Sequence, residues 1–104
     1  MNVQIGFMGV IADIAKTKKL ALDFENAPTL GELLNELESR YGEEFTTRIY
    51  RNAVTPRRLQ TGTRIFVNGK VADDAALAAA LPEPTEPGAA AAILVYFLPA
   101  SCGG

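Results

Sequence analysis

Two segments near the start of the chain, residues 3–7 and 20–24, alternate apolar residues with polar or small ones. Their apolar members are Val3, Ile5 and Phe7 in the first segment and Leu20, Leu22 and Phe24 in the second. A period of two is typical of strands that bury one face. We therefore predict two strands that pair as an antiparallel hairpin. Residues 11–19 between them are expected to form either a short helical turn or a long loop.

A stretch of helical periodicity follows. Thr29-Leu30-Gly31-Glu32 has the capping-box pattern, in which the Thr29 hydroxyl accepts from the Glu32 amide and the Glu32 carboxylate accepts from the Thr29 amide. Apolar residues then recur three and four positions apart, at Leu30, Leu33, Leu34, Leu37 and Tyr41. Gly42 is a typical helix stop. The pattern predicts one amphipathic helix between the cap and this glycine.

The segment after this helix has no clear period. Residues 43–63 contain scattered apolar residues and Pro56, which interrupts regular strand pairing, so we predict an irregular basic connection. Strand character returns at residues 64–67. Asn68-Gly69 is then a strong signal for a type I′ hairpin turn that leads into Lys70-Val71.

Two more elements are predicted further along the chain. Asp73 or Asp74 is expected to cap a short helix over residues 75–81, which Pro82 ends. Residues 93–98 are apolar on both faces, as expected of a central strand. One main amphipathic helix packed on one face of a mixed sheet buries the helix stripe economically, so the predicted fold class is α+β. If the last strand lies centrally and parallel to the first, the layout is the ubiquitin-like β-grasp.

Composition and charge exclude several classes of function. With 104 residues the chain is expected to form one domain, and its net charge of −2 gives no reason to predict binding to nucleic acid or to an anionic membrane. The longest apolar run, residues 89–98, is shorter than the roughly 18–20 residues that span a bilayer. The N-terminus lacks the basic lead and apolar core of a signal peptide, so we expect a cytoplasmic protein.

Residues for catalysis or metal binding are scarce. The chain has no histidine and a single cysteine, Cys102, so it lacks an ordinary acid–base relay, an internal disulfide and a multi-cysteine metal site. The paired acids at residues 43–44 and 73–74 lie near predicted turns and are expected to be solvated caps. We predict no bound cofactor, no metal and no enzymatic activity.

The end of the sequence holds the strongest candidate for chemistry. We predict a β-grasp domain over residues 1–98 and a flexible tail over residues 99–104, which ends in Gly103-Gly104. Six extended residues at roughly 3.3 Å each let Gly104 reach about 20 Å from the sheet, and glycine without a Cβ atom can thread a narrow channel. A carboxylate reacts with nucleophiles only after conversion to a mixed anhydride, and a terminal carboxylate on a flexible tail suits that step. The alternative is a frayed end without a function.

A partner-binding surface is predicted beside this tail. Because a small β-grasp sheet has its helix on one face, a last strand that is apolar on both faces leaves some residues uncovered, and we expect them to form a docking surface. The alternatives are coverage by residues 43–63 and self-association. The predicted partner-binding residues are Phe66, Tyr96, Leu98, Pro99, Ala100, Ser101 and Cys102.

Two further features have open alternatives. Cys102 is interpreted as a spectator, against a transient disulfide with a sulfur-transfer partner or attack on the activated carboxylate. The arginines at positions 48, 51, 57, 58 and 64 are interpreted as part of a solvated segment, against steering of an acidic partner.

The order of several motifs resembles the MoaD/ThiS family of sulfur carriers, in particular the longer MoaD-like proteins. The motifs are the opening strand 3–7, the helix start Pro28-Thr29-Leu30-Gly31-Glu32-Leu33-Leu34, the run Ile65-Phe66-Val67-Asn68-Gly69, and the ending from Val95 to Gly104. The resemblance covers most of the chain outside residues 43–63.

The resemblance implies a mechanism in which the chain is the substrate of other proteins. An adenylating enzyme of the ubiquitin-activating type uses ATP and magnesium to adenylate the Gly104 carboxylate, and a sulfur donor converts it to a thiocarboxylate. In the MoaD branch the thiocarboxylate docks into a larger catalytic subunit, the sulfur acceptor, and sulfurates a pterin precursor to molybdopterin. Gly103 provides clearance, and residues 99–102 connect the glycines to the sheet. The alternatives are a protein modifier conjugated to lysine through the same glycine, and a β-grasp binding module whose tail is incidental.

Overall fold

The computed structural model describes residues 1–51, 58–60, 63–82 and 93–99. Within them the strands are β1 (Asn2–Phe7), β2 (Lys19–Asp23), β3 (Thr63–Val67), β4 (Lys70–Val71) and β5 (Ile93–Pro99). The α-helices are α1 (Val10–Ala15), α2 (Leu30–Tyr41) and α3 (Glu43–Ile49), and a 3₁₀ helix spans Asp74–Ala78.

The five strands form one mixed sheet in the order β2-β1-β5-β3-β4. β1 and β2 pair antiparallel, as the alternating segments predict, with Val3 opposite Leu22. β5 lies between β1 and β3, parallel to the first and antiparallel to the second. The central, parallel position of the last strand is the arrangement that defines the predicted β-grasp layout.

Helix α2 forms as its sequence pattern predicts. The Glu32 amide donates to the Thr29 hydroxyl over 3.0 Å, and the Thr29 amide donates to the Glu32 carboxylate over 2.8 Å. The helix ends at Gly42, whose φ of 82° favours glycine and whose amide donates to the Glu38 carbonyl. The four leucines of the apolar stripe are 0–1% exposed. The stripe therefore packs fully against the sheet.

The prediction of an irregular connection after α2 is wrong for its first part. Residues 43–49 form helix α3, and its two apolar residues, Phe45 and Ile49, are buried. They are four positions apart and so lie on one helix face. Seven residues are too few for this spacing to stand out as a period, which explains the misinterpretation. Burial against the sheet stabilises a helix that is too short to form alone.

Two other elements differ from or refine the prediction. The segment between β1 and β2 contains a short helix, α1, which ends at Lys16 in the left-handed region with φ 59°. The predicted helix over residues 75–81 is a 3₁₀ helix that starts at Asp74 and ends before Ala79. Asp73 caps it by accepting from the Ala76 amide over 3.2 Å. Pairing of Ala80 with Thr29 draws the following residues into a bridge, so the helix stops before Pro82.

The Asn68-Gly69 turn between β3 and β4 is confirmed. Asn68 has φ 50° and Gly69 has φ 87°. A type I′ turn requires positive φ at both central residues, which asparagine and glycine tolerate best.

A cluster of four aromatic rings lies beneath the sheet where β1 and β5 end. Phe97 contacts Phe7 and Phe45, with ring centroids 5.5 and 5.8 Å apart, and Tyr41 contacts both Phe7 and Phe45. Phe7, Phe45 and Phe97 are 0–1% exposed. The cluster packs α2 and α3 against the end of β5, where Phe97 lies two residues before Pro99.

Because Phe45 belongs to this cluster, Phe45→Ala is expected to lower the free energy of unfolding by about 3–5 kcal/mol. The exposed neighbour Glu43→Ala is the matched control and is expected to change stability by no more than about 0.5 kcal/mol. Denaturant unfolding of both variants measures the difference. Equal effects of the two substitutions would show that α3 is not part of the core.

Candidate docking face and the root of the tail

The predicted site residues divide into two groups. Gly103, Gly104 and the preceding residues 100–102 lie outside the described residues. Phe66 lies on β3, and Tyr96, Leu98 and Pro99 lie on β5. Pro99 is the last residue of that strand and pairs with Thr63. The described chain thus leads to the root of the predicted tail.

Three strands meet at the edge of the sheet where this root lies. β1 and β5 are parallel, so both end there, and β3 begins there because it is antiparallel to β5. The Met8 amide donates to the Phe97 carbonyl over 3.1 Å and continues the pairing beyond β1. We call this the tail-exit edge; it consists of residues 7–10, 16–19, 63–64 and 98–99.

The tail-exit edge exposes two large apolar side chains that the sequence analysis passed over. Met8 is 52% exposed and Val10 is 46% exposed. Gly9 lies between them with φ 63° and ψ −140°, a conformation that favours glycine. The strand pattern ends before Met8, and the first helix was expected only from residue 11, so neither element drew attention to this segment. Its signal is an apolar pair around a glycine directly after a strand.

Among the described residues, helices cover one face of the sheet and leave the other face open. On β1, Val3 and Ile5 point towards the core, whereas Gln4 between them is exposed. On β3, Ile65 is buried, and Arg64 on the opposite face is exposed. The alternation shows that the open face consists of the residues between the core positions.

Two of the predicted docking residues are directly paired in the sheet. Tyr96 pairs with Phe66, and Phe66 pairs in turn with Val71. Phe66 is half-buried, and Val71 is 57% exposed. Leu98 pairs with Arg64, nearer the tail-exit edge. The sequence analysis missed Val71 because a two-residue strand has no measurable alternation; the register shows that it extends the apolar part of this face.

The other half of the open face is polar. The Gln4 side-chain amide donates to the Asn2 side-chain carbonyl over 2.6 Å, and the Asn2 side-chain amide donates to the Asp23 carboxylate over 3.2 Å. These residues lie on β1 and β2, at the end of the sheet away from the tail. In the described part of the chain, the apolar docking positions of known exposure are therefore Phe66 on β3, Val71 on β4, and Met8 and Val10 at the tail-exit edge.

Arg57 of the predicted basic segment lies outside the described residues, and the described arginines of this segment do not form one group. The Arg51 amide donates to the Arg58 carbonyl over 2.7 Å, beside the bridge between Tyr50 and Leu59. The Arg58 guanidinium lies 3.9 Å from the Asp74 carboxylate. Arg64, by contrast, stands on the open face of β3.

The predicted role of the paired acids as caps is confirmed for Asp73, and Asp74 has a different local task. Asp74 accepts from the Leu59 amide over 2.7 Å and thereby holds residues 58–60 beside the 3₁₀ helix. Glu43 and Glu44 lie exposed in the first turn of α3, where the helix dipole favours negative charge.

The titration of Tyr41 reflects packing on the helix side. Burial raises the pKa of Tyr41, and neighbouring Arg40 partly offsets this increase. The ring belongs to the aromatic cluster, away from the open face. Among the described residues no three histidine, cysteine, aspartate or glutamate side chains lie close enough to hold a metal ion. No helix in the described part of the chain is long and apolar enough to cross a membrane.

Neither a protein-family profile nor a curated protein matches this chain. Solved structures match it in fold. Small archaeal modifier protein 1 of Haloferax volcanii matches with a TM-score of 0.67 and 17% identity, over 96% of this chain and 98% of that one. A putative molybdopterin converting factor, subunit 1, from Pyrococcus furiosus gives 0.68 and 14%, over 97% and 99%. A chain of the Amycolatopsis orientalis BexX/CysO complex gives 0.58 and 20%, over 98% and 99%.

These similarities show the fold, because nearly the whole length of each chain superposes while few residues are identical. The protein has the ubiquitin-like β-grasp fold that the sequence predicts. The predicted resemblance to MoaD-like proteins is confirmed in structure, since a molybdopterin converting factor subunit is among the neighbours.

Asp74→Ala is expected to release residues 58–60, because the Leu59 amide loses its acceptor. A lost hydrogen bond of this kind costs about 1–3 kcal/mol and should accelerate hydrogen exchange at the Leu59 amide. Asp13→Ala, which removes an exposed carboxylate on α1, is the control and should leave that amide unchanged. Unaltered exchange at Leu59 in the Asp74 variant would contradict this role of the carboxylate.

Proposed function

We propose that this protein is a sulfur carrier whose Gly104 carboxylate is adenylated and then converted to a thiocarboxylate. The observation that supports this most is the position of Pro99. It ends a central strand, lies at an edge of the sheet beside exposed Met8 and Val10, and precedes Gly104 by five residues. A fold neighbour that is a putative molybdopterin converting factor subunit supports the same function.

The proposed reaction has two steps, and the chain supplies the acyl group in both. In the first, a Gly104 carboxylate oxygen attacks the α-phosphorus of ATP, pyrophosphate leaves, and an acyl-adenylate forms. In the second, hydrosulfide from a sulfur donor attacks the carbonyl carbon, the bond to AMP breaks, AMP and a proton leave, and a thiocarboxylate forms. ATP and magnesium are bound by an adenylating enzyme of the ubiquitin-activating type. The chain itself is not proposed to be an enzyme.

The folded body has to hold the root of the tail still while the tail extends. Phe97 provides this anchor, because its ring is fully buried between Phe7 and Phe45. Five extended residues beyond Pro99 can reach roughly 17 Å, at about 3.3 Å each. A carboxylate at that distance can enter the active site of a second protein while the body stays on its surface. Gly103 then gives clearance in a narrow channel.

The open face is proposed to dock the partners that act on the tail. Phe66 and Val71 give it an apolar part on β3 and β4, and Phe66 pairs with Tyr96 of β5, three residues before Pro99. Exposed apolar patches of this kind mark sites of protein–protein contact. The partners are the adenylating enzyme and a larger catalytic subunit that accepts the sulfur, as in a molybdopterin-synthase-like system.

Intact-mass measurement tests the carrier function directly. The protein is incubated with its adenylating enzyme, ATP, magnesium and a sulfur donor. We expect the mass increase that corresponds to exchange of one oxygen for sulfur, and tandem fragmentation should locate the change at Gly104. A chain that lacks residues 103–104 is the control and should not change in mass. The activity of the adenylating enzyme is first checked on a carrier protein that it is known to modify. If this active enzyme then produces no exchange on the present chain, the proposal is refuted.

Exposed Met8 provides a test of docking. Met8→Ser leaves the core intact and removes an apolar contact beside the tail, so binding to the adenylating enzyme should weaken by about tenfold, or about 1.4 kcal/mol. Gln4→Ala, on the polar half of the open face, is the control and should bind as the unaltered chain does. Equal affinities of both variants, measured by calorimetry, would place docking elsewhere.

A protein modifier is the second candidate, and the fold neighbour small archaeal modifier protein 1 favours it. The same acyl-adenylate would then react with a lysine amine, with AMP as leaving group, to form an isopeptide. The two functions separate in the mass experiment, because only the modifier yields covalent conjugates of higher mass. A β-grasp binding module remains if deletion of Gly104 leaves function in cells unchanged.

A further inference from the structure

Three lysines lie on one side of the tail-exit edge. The Lys18 carbonyl accepts from the Phe7 amide over 2.9 Å, which places Lys18 beside the end of β1. Lys16 follows α1 directly, and Lys19 begins β2 opposite Gly6. All three are exposed, and none forms an ion pair with another described residue.

A fourth cation lies on the opposite side of the same edge. Arg64 pairs with Leu98, and its neighbour Thr63 pairs with Pro99. Arg64 is exposed and, within the described ranges, has no carboxylate within ion-pair distance. Positive side chains therefore flank the root of the tail on both sides, with Met8 and Val10 between them.

The nearby acids only partly neutralise this edge. Asp73 and Asp74 line a surface pocket with Arg64, but Asp74 is engaged by the Leu59 amide and Arg58, and Asp73 caps the 3₁₀ helix. Asp13 on α1 and Glu44 on α3 line a shallow surface pocket with Lys16 and leave Lys18 and Lys19 outside it. The other described acids are on β2 beyond its centre, in the loop after it, and on α2 and α3; they are Asp23, Glu25, Glu32, Glu36, Glu38 and Glu43. A chain with net charge −2 thus presents positive charge where its tail emerges.

We infer that the tail-exit edge docks against a partner whose tail-entry opening has an acidic rim around an apolar centre. The inference rests on the proposed function, which requires the tail to enter a second protein. When it does, the edge must approach the rim of that opening. Like charges facing each other across an interface disfavour binding, whereas complementary charges steer association. Lys16, Lys18, Lys19 and Arg64 would then face carboxylates, and Met8 and Val10 would contact the apolar centre.

Charge removal on both sides of the tail tests this geometry. The variant Lys18→Gln/Arg64→Gln changes two exposed residues and lowers the net charge by two, as the control below does, so the fold should persist, and circular dichroism checks this. Association with the adenylating enzyme of the mass experiment is followed by stopped-flow fluorescence from low salt to about 1 M. The matched control is Lys70→Glu, an exposed lysine of β4 next to the Asn68-Gly69 turn, at the opposite edge of the sheet.

We expect the double variant to associate at least about tenfold more slowly at low salt. The difference should largely vanish near 1 M, where the screening length falls to about 3 Å. The Lys70 control should associate at the rate of the unaltered chain at every salt concentration.

The outcomes distinguish this inference from the carrier function. Equal rates for the double variant and the unaltered chain, with sulfur exchange at Gly104 intact, would overturn the acidic rim and leave the carrier function standing. An equal loss in the Lys70 control would also overturn it, because the effect would then be one of net charge. A charge-dependent rate without any modification of Gly104 would support the docking surface and refute the carrier.

Discussion

The structure depends on the insertion of β5 between β1 and β3. Both edges of this strand are paired, and Phe97 on its core face is locked between Phe7 and Phe45. Rings that pack at native density with no exposed surface have little room to shift. The position of Pro99 relative to the rest of the molecule is therefore fixed by the same contacts that close the core. The contacts that stabilise the core therefore also fix the point from which the proposed tail would extend.

The two faces of the sheet differ in what packs on them and in their composition. The covered face holds α2 through its capped N-terminus and four buried leucines, and it holds α3 through Phe45. The open face is not packed against helices, so its residues need not all be apolar. They are polar on β1 and β2, and they include apolar Phe66 and Val71 on β3 and β4. Because of this asymmetry, a molecule that approaches the end of β5 meets polar strands on one side and apolar residues on the other.

The sequence was sufficient for elements that follow a local rule. The capping box, the leucine stripe and the Asn68-Gly69 turn each depend on residues within a few positions, and all three are confirmed. Helix α3 was missed because its burial depends on Phe97, about fifty residues away. Met8 and Val71 were missed as candidate docking residues for a similar reason, since only the strand register shows which edge or face they share. The residues proposed for the chemistry itself, Gly103 and Gly104, stay predictions of the sequence.

The strand order also has a consequence for how the molecule assembles. β1 and β2 form one hairpin, and β3 and β4 form another. Among the described strands, β5 is the one that pairs with both hairpins. Because β5 comes last among the described strands, the sheet cannot close while its final segment is still inside the ribosome. Contacts over such long sequence separations make folding slow relative to local hairpin formation. A translation product that stops before residue 93 would contain two hairpins that do not pair with each other and an α2 whose leucines are exposed. We expect such an incomplete chain to be degraded.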